Sequence, residues 1–381
     1  MKKNFTILML LAFCCLGMNA KTFKVKDVIT GEALITQKEK SGEHITYESF
    51  DNYSFEGLSG AVYEGMCGVK SSKKSFMIDN FDYPNRGFVT TTSNGIAKSI
   101  TFYYGNGNTY DTSAVRVFAD NTQPENLVHF YSYCDEPWYQ YYEFNEQGGY
   151  TFEKDYKYIG FVGFGENLSY LSKVEVVWNV TDNQVAVPVG AAGISTFSFE
   201  YDLDFSGQDN VTAWVATLND AKDAIILKKV TKVPAHTGVI VEAEPNSQYR
   251  VDIIEGATLT DPNDLIGVSN FEGGDVEQYE DNGNTNYLLV RDGEKVSFRP
   301  LADNYTHKIQ GRKAYLSVDM TSAASMGAPL RVEFDDEEVT GIEAVNCEEV
   351  ENGDVYNLQG ITVDSNYKGF VIKNGKKFFN R

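Results

Sequence analysis

The chain has 381 residues, 54 aspartates and glutamates against 33 lysines and arginines, a net charge of −21, and 13% aromatic residues. A phosphate backbone is held by clustered Lys and Arg that displace its counterions, so this excess of acid argues against nucleic acid as a partner. The length exceeds what a single core supports, which predicts two domains plus terminal segments.

Residues 1–20 open with Lys2 and Lys3, continue with the apolar run "ILMLLAFCCLG", and break at "MNA". The run is too short to span a bilayer and has the layout of a secretory leader, with a cut expected after Ala20. A lipoprotein reading of "LAFC" is weaker, because the bulky Phe13 precedes the cysteine. Removing the leader's two lysines and no acid leaves 31 bases against 54 acids, about −23. No later run reaches the eighteen apolar residues of a membrane span. Of five cysteines, Cys67, Cys134 and Cys347 remain after the cut, too few and too widely spaced for a disulfide framework. One Cys67–Cys134 bridge is conceivable, with free thiols preferred.

From residue 21 to 182 the pattern is strand after strand. "AKSITFYYG" (Ile100, Phe102 and Tyr104 on one face) and "SAVRVFA" (Val115 and Val117) alternate with period two around the turn-rich "GNGNTYD", and "LSKVEVVWNV" closes the segment. Sustained spacings of three to four with caps are scarce, so helices should be few and short. Within this domain "FYSYCDEPWYQYYEF" is predicted to be a hairpin, with "LVHFYSY" and "YQYYEF" as arms and "CDEP" as the turn. An unpaired buried glutamate is costly, so the face of Glu143 should be wet, exposing Tyr139 and Tyr141 beside it. Two phenol rings next to an acid suit stacking on a sugar ring with hydrogen bonds to its hydroxyl groups. The alternative is that another strand, or the segment 21–65, covers both rings.

Together "SFMIDNF", "GFVTTTSNGIAKSITFYYG", "SAVRVFAD" and "YTFEKDYKYIGFVGFGENLSYLSKVEVVWNV" resemble the discoidin-like jelly-roll modules of secreted proteins from Bacteroidota. The resemblance implies an accessory binding domain.

At "TDNQVAVPVGAAG" the register changes, and 183–334 reads as a second all-β domain. "TAWVATLNDAKDAIIL" is a hairpin with Val211, Ala213 and Val215 alternating and "NDAKD" as the turn, while Pro234 and Gly238 bracket a turn between two apolar strands. "VPAHTGVIV" and "GRKAYL" are similar to an all-β module near the C-terminus of many uncharacterised secreted proteins of Bacteroidota, for which no activity is implied. The segment 335–381 begins with "DDEE", a solvated acidic linker, and continues as three brief strands turned at Gly360, Gly369 and Gly375. Its "YNLQG", "KGFVI" and "NGKK" elements resemble the C-terminal signals of the type IX secretion system, which implies export machinery as a partner.

Enzyme motifs are missing: no G-x-S-x-G elbow, no H-E-x-x-H helix, no G-x-x-x-x-G-K-[ST] loop. His129 near Cys134 is the nearest approach to a nucleophilic pair, but nothing in the acid-rich surroundings would lower the thiol's pKa. Paired carboxylates can always be drawn among so many acids. Asp79 with Asp82, and Asp281 with Asn284, could offer oxygens to calcium, yet neither follows a calcium-loop spacing, and solvated turns are the preferred reading. The expectation is an all-β protein: a leader, a jelly-roll-like β-sandwich at 21–182, a second all-β domain and a short β C-terminal segment. It is expected to be secreted or attached to the outer cell surface, non-catalytic and free of cofactor and metal, and to bind a glycan or host surface ligand through Tyr139, Tyr141 and Glu143. A scaffold without small-molecule ligand and a polysaccharide-acting hydrolase are the alternatives.

Overall fold

The computed structural model describes residues 20–40, 50–70, 74–79, 86–105, 114–133, 138–141, 147–164, 169–277, 284–292, 295–301, 306–320 and 328–334, and strands at 355–357, 362–363, 369–373 and 376–380. The chain is all-β, with two short helices among the described residues. Contacts divide it into two units, 1–55 with 60–183, and 184–381 with 56–59.

The first unit runs β1 (Lys21–Thr30), α1 (Gly31–Lys40), β2 (Phe50–Glu56), β3 (Val62–Lys70), β4 (Ser75–Ile78), β5 (Gly87–Thr92), β6 (Gly95–Tyr104), β7 (Ala114–Asp120), α2 (Leu127–Tyr133), β8 (Trp138–Tyr141), β9 (Gln147–Tyr156), β10 (Tyr158–Phe164) and β11 (Ser169–Asp182). β11 organises the unit. Along one edge it pairs β6, and along the other it pairs first β4 and then all ten residues of β1. This gives one continuous sheet in the order β8-β7-β10-β5-β3-β4-β11-β6-β9, with β1 on β11 and β2 on β3, which folds at the β4-β11 pairing into a layer β1-β11-β6-β9 and a second β4-β3-β5-β10-β7-β8.

Alternation explains what lies between the layers. Ile100, Phe102, Val174, Val176 and Trp178 point inward from the first layer, and Tyr63, Phe88 and Phe161 from the second. Phe102 meets Phe161 at 5.5 Å between ring centres, and Phe161 meets Phe88 at 5.7 Å. Burying each such ring contributes roughly 2–3 kcal/mol. At the centre, Trp178 Nε1 donates to Tyr63 Oη at 3.0 Å, and Tyr63 Oη donates to Asp27 Oδ2 at 2.8 Å. All three residues are at most 1% exposed. Burial, and then the charge of Asp27, push the Tyr63 phenol well above its ordinary pKa.

One predicted element is overturned. "LVHFYSY" is the helix α2, not a hairpin arm. Asn126 caps it, its Oδ1 accepting from His129 N at 2.9 Å, and Leu127 and Phe130, three apart, turn down together onto Val89, Phe118 and Val162. Gly160 makes room for the ring, since a Cβ there would lie 3.1 Å from Phe130 Cδ1.

The second unit contains β12 (Gln184–Val189), β13 (Ile194–Phe197), β14 (Asp202–Asp204), β15 (Val211–Leu218), β16 (Ala224–Val230), β17 (Lys232–Val233), β18 (Val239–Ala243), β19 (Ser247–Ile254), β20 (Leu265–Val268), β21 (Gly274–Val276), β22 (Thr285–Asp292), β23 (Lys295–Pro300), β24 (His307–Ile309), β25 (Lys313–Val318) and β26 (Arg331–Phe334). They form sheets β12-β19-β14-β17, β13-β18-β15-β16-β26 and β20-β25-β22-β23, and a pair β21-β24. Leu227, Ile240, Leu265, Tyr287, Phe298 and Leu316 form a shared core. The hairpin β15–β16 closes as expected: Asn219 Oδ1 accepts from Asp223 N and Ala224 N across the turn. The strands flanking Pro234 and Gly238, by contrast, enter different sheets, so that turn is a crossing between sheets.

The tail carries four short strands rather than three, β27 (Val355–Asn357), β28 (Thr362–Val363), β29 (Gly369–Lys373) and β30 (Lys376–Asn380), in the order β28-β27-β29-β30. Gly369 begins a strand because its backbone pairs with Asn380. Among the described residues no helix is long and apolar enough to cross a membrane.

Candidate functional site

A concavity of about 520 Å³ lies on the outer side of the β3-β5 pair. β2 forms one wall with Asn52 and Ser54, and the start of α2 forms the other with Asn126, Leu127 and Val128. Glu64 and Met66 from β3 and Val89 from β5 line the floor, Glu64 directly opposite Val89 in the ladder. The helix is held in place by its approach: Gln123 Nε2 donates to Thr91 O at 2.7 Å, and Lys157 N donates to Asn121 Oδ1 at 3.0 Å. The lining combines an apolar stripe (Met66, Val89, Leu127, with the half-exposed Val128 at the rim) with two amides, the hydroxyls of Ser54 and Tyr53 and the carboxylate of Glu64. None of the described lining residues is basic. Such a surface gives directional hydrogen bonds beside apolar contact.

A second polar cluster occupies the outer face of the β1-β11-β6-β9 layer. Glu175 accepts from Lys173 Nζ at 2.7 Å and from Tyr103 Oη at 3.1 Å, and its other ion pair is Lys26 at 3.5 Å. Burial raises the Glu175 carboxyl, but the Lys173 hydrogen bond and the charges of Lys26 and Lys173 outweigh it and hold the group below its ordinary pKa. Tyr103 is raised by burial and then by the charge of Glu175. Lys173 Nζ stands 3.8 Å from the centre of the Tyr103 ring. Beside this cluster a hollow of about 290 Å³ opens over β6 and β9, lined by Ser99, Thr101, Gly148, Gly149 and Thr151 among others.

In the second unit the two sequence motifs converge. His236 occupies the left-handed region (φ 63°) in the turn closed by Thr237 N to Pro234 O, and its backbone N donates to Phe199 O at 2.7 Å. The Arg312 guanidinium lies 4.7 Å from the Phe199 ring centre and 3.7 Å from Glu200, and burial, partly offset by Glu200, lowers its pKa to about 10. His236 Nδ1 is 2.6 Å from Ser269 Oγ. Ser269 is only 8% exposed, and among the described residues no carboxylate bonds the far ring nitrogen, so the pair lacks an orienting acid. Asp202 completes the corner by accepting from Ala235 N and Ala257 N. The motifs build a structural joint.

The residues singled out in the sequence fare differently. Tyr139 lies opposite Arg116 and Tyr141 opposite Ala114 in the β7-β8 ladder; their side chains, and Glu143 entirely, lie outside the described residues. Asp79 is not a solvated turn residue: it is 4% exposed and paired to Arg86 at 2.6 Å. Asn284 Nδ2 donates to Ser317 Oγ at 3.4 Å, while Asp82, Asp281, Cys134, Cys347, the leader up to residue 19 and the acidic run 335–338 lie outside the described residues. Cys67 is fully buried, and the pairing considered for it falls on Cys134, outside the described residues. His129 is exposed and packs against Tyr133 at 4.5 Å. Among the described residues no three His, Cys, Asp or Glu side chains are grouped to hold a metal ion.

Sequence reasoning missed Asn52, Glu64, Met66 and Asn126. Only Asn126 had a local signal, a capping residue ahead of Leu127 and Phe130. Compared with known proteins, the chain matches no family model, no curated protein and no solved structure.

Proposed function

We propose that the protein is an exported, non-catalytic binding protein whose first unit takes a glycan in the groove between β2 and α2. The groove carries this reading: amides from two walls, the Ser54 hydroxyl and the Glu64 carboxylate surround an apolar floor in a cleft of about 520 Å³. A sugar ring has the same duality, with apolar C–H faces and polar edges. Export is supported by the leader-like residues 1–20 and by β1 beginning at Lys21, directly after the expected cut. The likeness of the tail to type IX signals supports surface delivery, and the likeness of the first domain to discoidin-like modules supports an accessory binding role.

A glycan array with the mature protein tests the reading. Val128→Arg at the exposed rim and Glu64→Ala on the exposed part of the floor should each weaken a hit at least about tenfold, the loss of one or two hydrogen bonds or apolar contacts. A hit that both variants retain undiminished would remove the groove, and turnover of any array glycan would overturn the non-catalytic assignment.

A further inference from the structure

We propose that the open face of the β1-β11-β6-β9 layer is a second binding surface, for anionic polysaccharide. It is independent of the groove. Alternation along β1 buries Phe23, Val25, Asp27 and Ile29 and leaves Lys24, Lys26 and Val28 on the opposite face. The ladder sets Val28 opposite Glu175, Glu175 opposite Thr101, and Lys173 opposite Tyr103. One carboxylate is thus shared by two ammonium groups, and Lys24 lies on the same face of β1 two residues from Lys26, roughly 7 Å along the strand. Within a chain of net charge −21, Lys24, Lys26 and Lys173 against the one carboxylate of Glu175 on β1 and β11 are a local reversal of sign.

That reversal is felt by a ligand. At physiological salt the screening length is about 8 Å, so a chain lying on the face responds to these lysines more than to acids elsewhere. The exposed acids of β9 are Glu153 and Asp155, and Lys98 holds Asp155 at 2.5 Å. Glu175 holds Lys26 and Lys173 in place, with their side chains 41% and 34% exposed, so little ordering remains for the ligand to impose.

The neutral part of the face selects the class of anion. Gly148 and Gly149 contribute no side chains to the hollow of about 290 Å³, and the hydroxyls of Ser99, Thr101 and Thr151 surround it. Hydroxyl donors and acceptors around a ring-sized space suit a polyhydroxylated chain. Nucleobases would need a free aromatic face to stack on, and Lys173 already covers one face of the Tyr103 ring.

The test titrates the mature protein with polygalacturonate, dextran sulfate, neutral dextran and poly-glutamate over a range of salt. Binding to one or both acidic polysaccharides is expected, the two arms showing whether carboxylate or sulfate is preferred, with affinity falling as salt rises. Lys24→Gln with Lys26→Gln, both on the surface, should weaken it at least about tenfold and flatten the salt dependence by about one to two units of log–log slope. Retained binding by the double lysine variant, failure of both acidic polysaccharides to bind, equal binding to neutral dextran, or equal binding to poly-glutamate would each overturn the proposal. Circular dichroism of the variants separates a lost surface from a lost fold.

Discussion

Tyr63→Phe isolates the hydrogen-bond chain at the centre of the first unit. The substitution keeps the ring, which stacks on Phe55 at 5.3 Å, and deletes one oxygen. That oxygen accepts from Trp178 Nε1 and donates to Asp27 Oδ2, and neither partner is more than 1% exposed. Losing the neutral bond costs about 1 kcal/mol and losing the bond to a carboxylate about 1.5–3 kcal/mol, so a loss of about 2.5–4 kcal/mol is expected. In a cooperative unit of this size that corresponds to a fall in Tm of roughly 5–16 °C. Urea unfolding of the mature chain, followed through tryptophan fluorescence and near-ultraviolet circular dichroism, measures it. The transition of the second unit, which lacks the substitution, is the internal control. The pH dependence adds a second readout. Because the folded phenol has a raised pKa, its contribution is intact below the ordinary tyrosine value near 10 and is lost as the pH rises above it, when only the unfolded chain ionises freely. Tyr63→Phe should flatten that alkaline decline. A stability change below about 0.5 kcal/mol with an unaltered alkaline slope would refute the reasoning.

Further outcomes follow from named contacts. Asn126→Ala removes the helix cap and should cost about 1 kcal/mol in the first unit, with faster backbone hydrogen exchange over Leu127–Tyr133. Gly238→Ala would place a Cβ 2.8 Å from Ala314 Cβ and 3.0 Å from Leu265 Cβ, and should destabilise the second unit by about 1–3 kcal/mol in thermal melts. Cys67, fully buried, should react with a thiol reagent only after the first unit unfolds, so mass spectrometry of natively treated protein should find it unmodified by the reagent.

How much of this was legible in the sequence depends on how locally each feature is encoded. β6, β7 and the β15–β16 hairpin follow from residues that alternate along one strand, such as Val115 and Val117, and from turn chemistry such as that of Asn219. α2 was misread because its aromatic residues favour strands, and the helical spacing of Leu127 and Phe130 is brief within a run of rings. The groove was invisible for a different reason. Its walls come from β2 and α2 and its floor from β3 and β5, and only long-range pairing brings Asn52, Glu64 and Asn126 together. The same holds for Lys26 and Glu175, which meet because β1 returns to β11 across the whole first unit.

Hydrogen–deuterium exchange of the mature protein, with and without a glycan that binds it, tests the central claim most directly. Protection concentrated at residues 52–54, 64–66 and 126–128 is the expected result. Protection absent from all three segments, with the glycan demonstrably bound, would contradict the assignment of the groove.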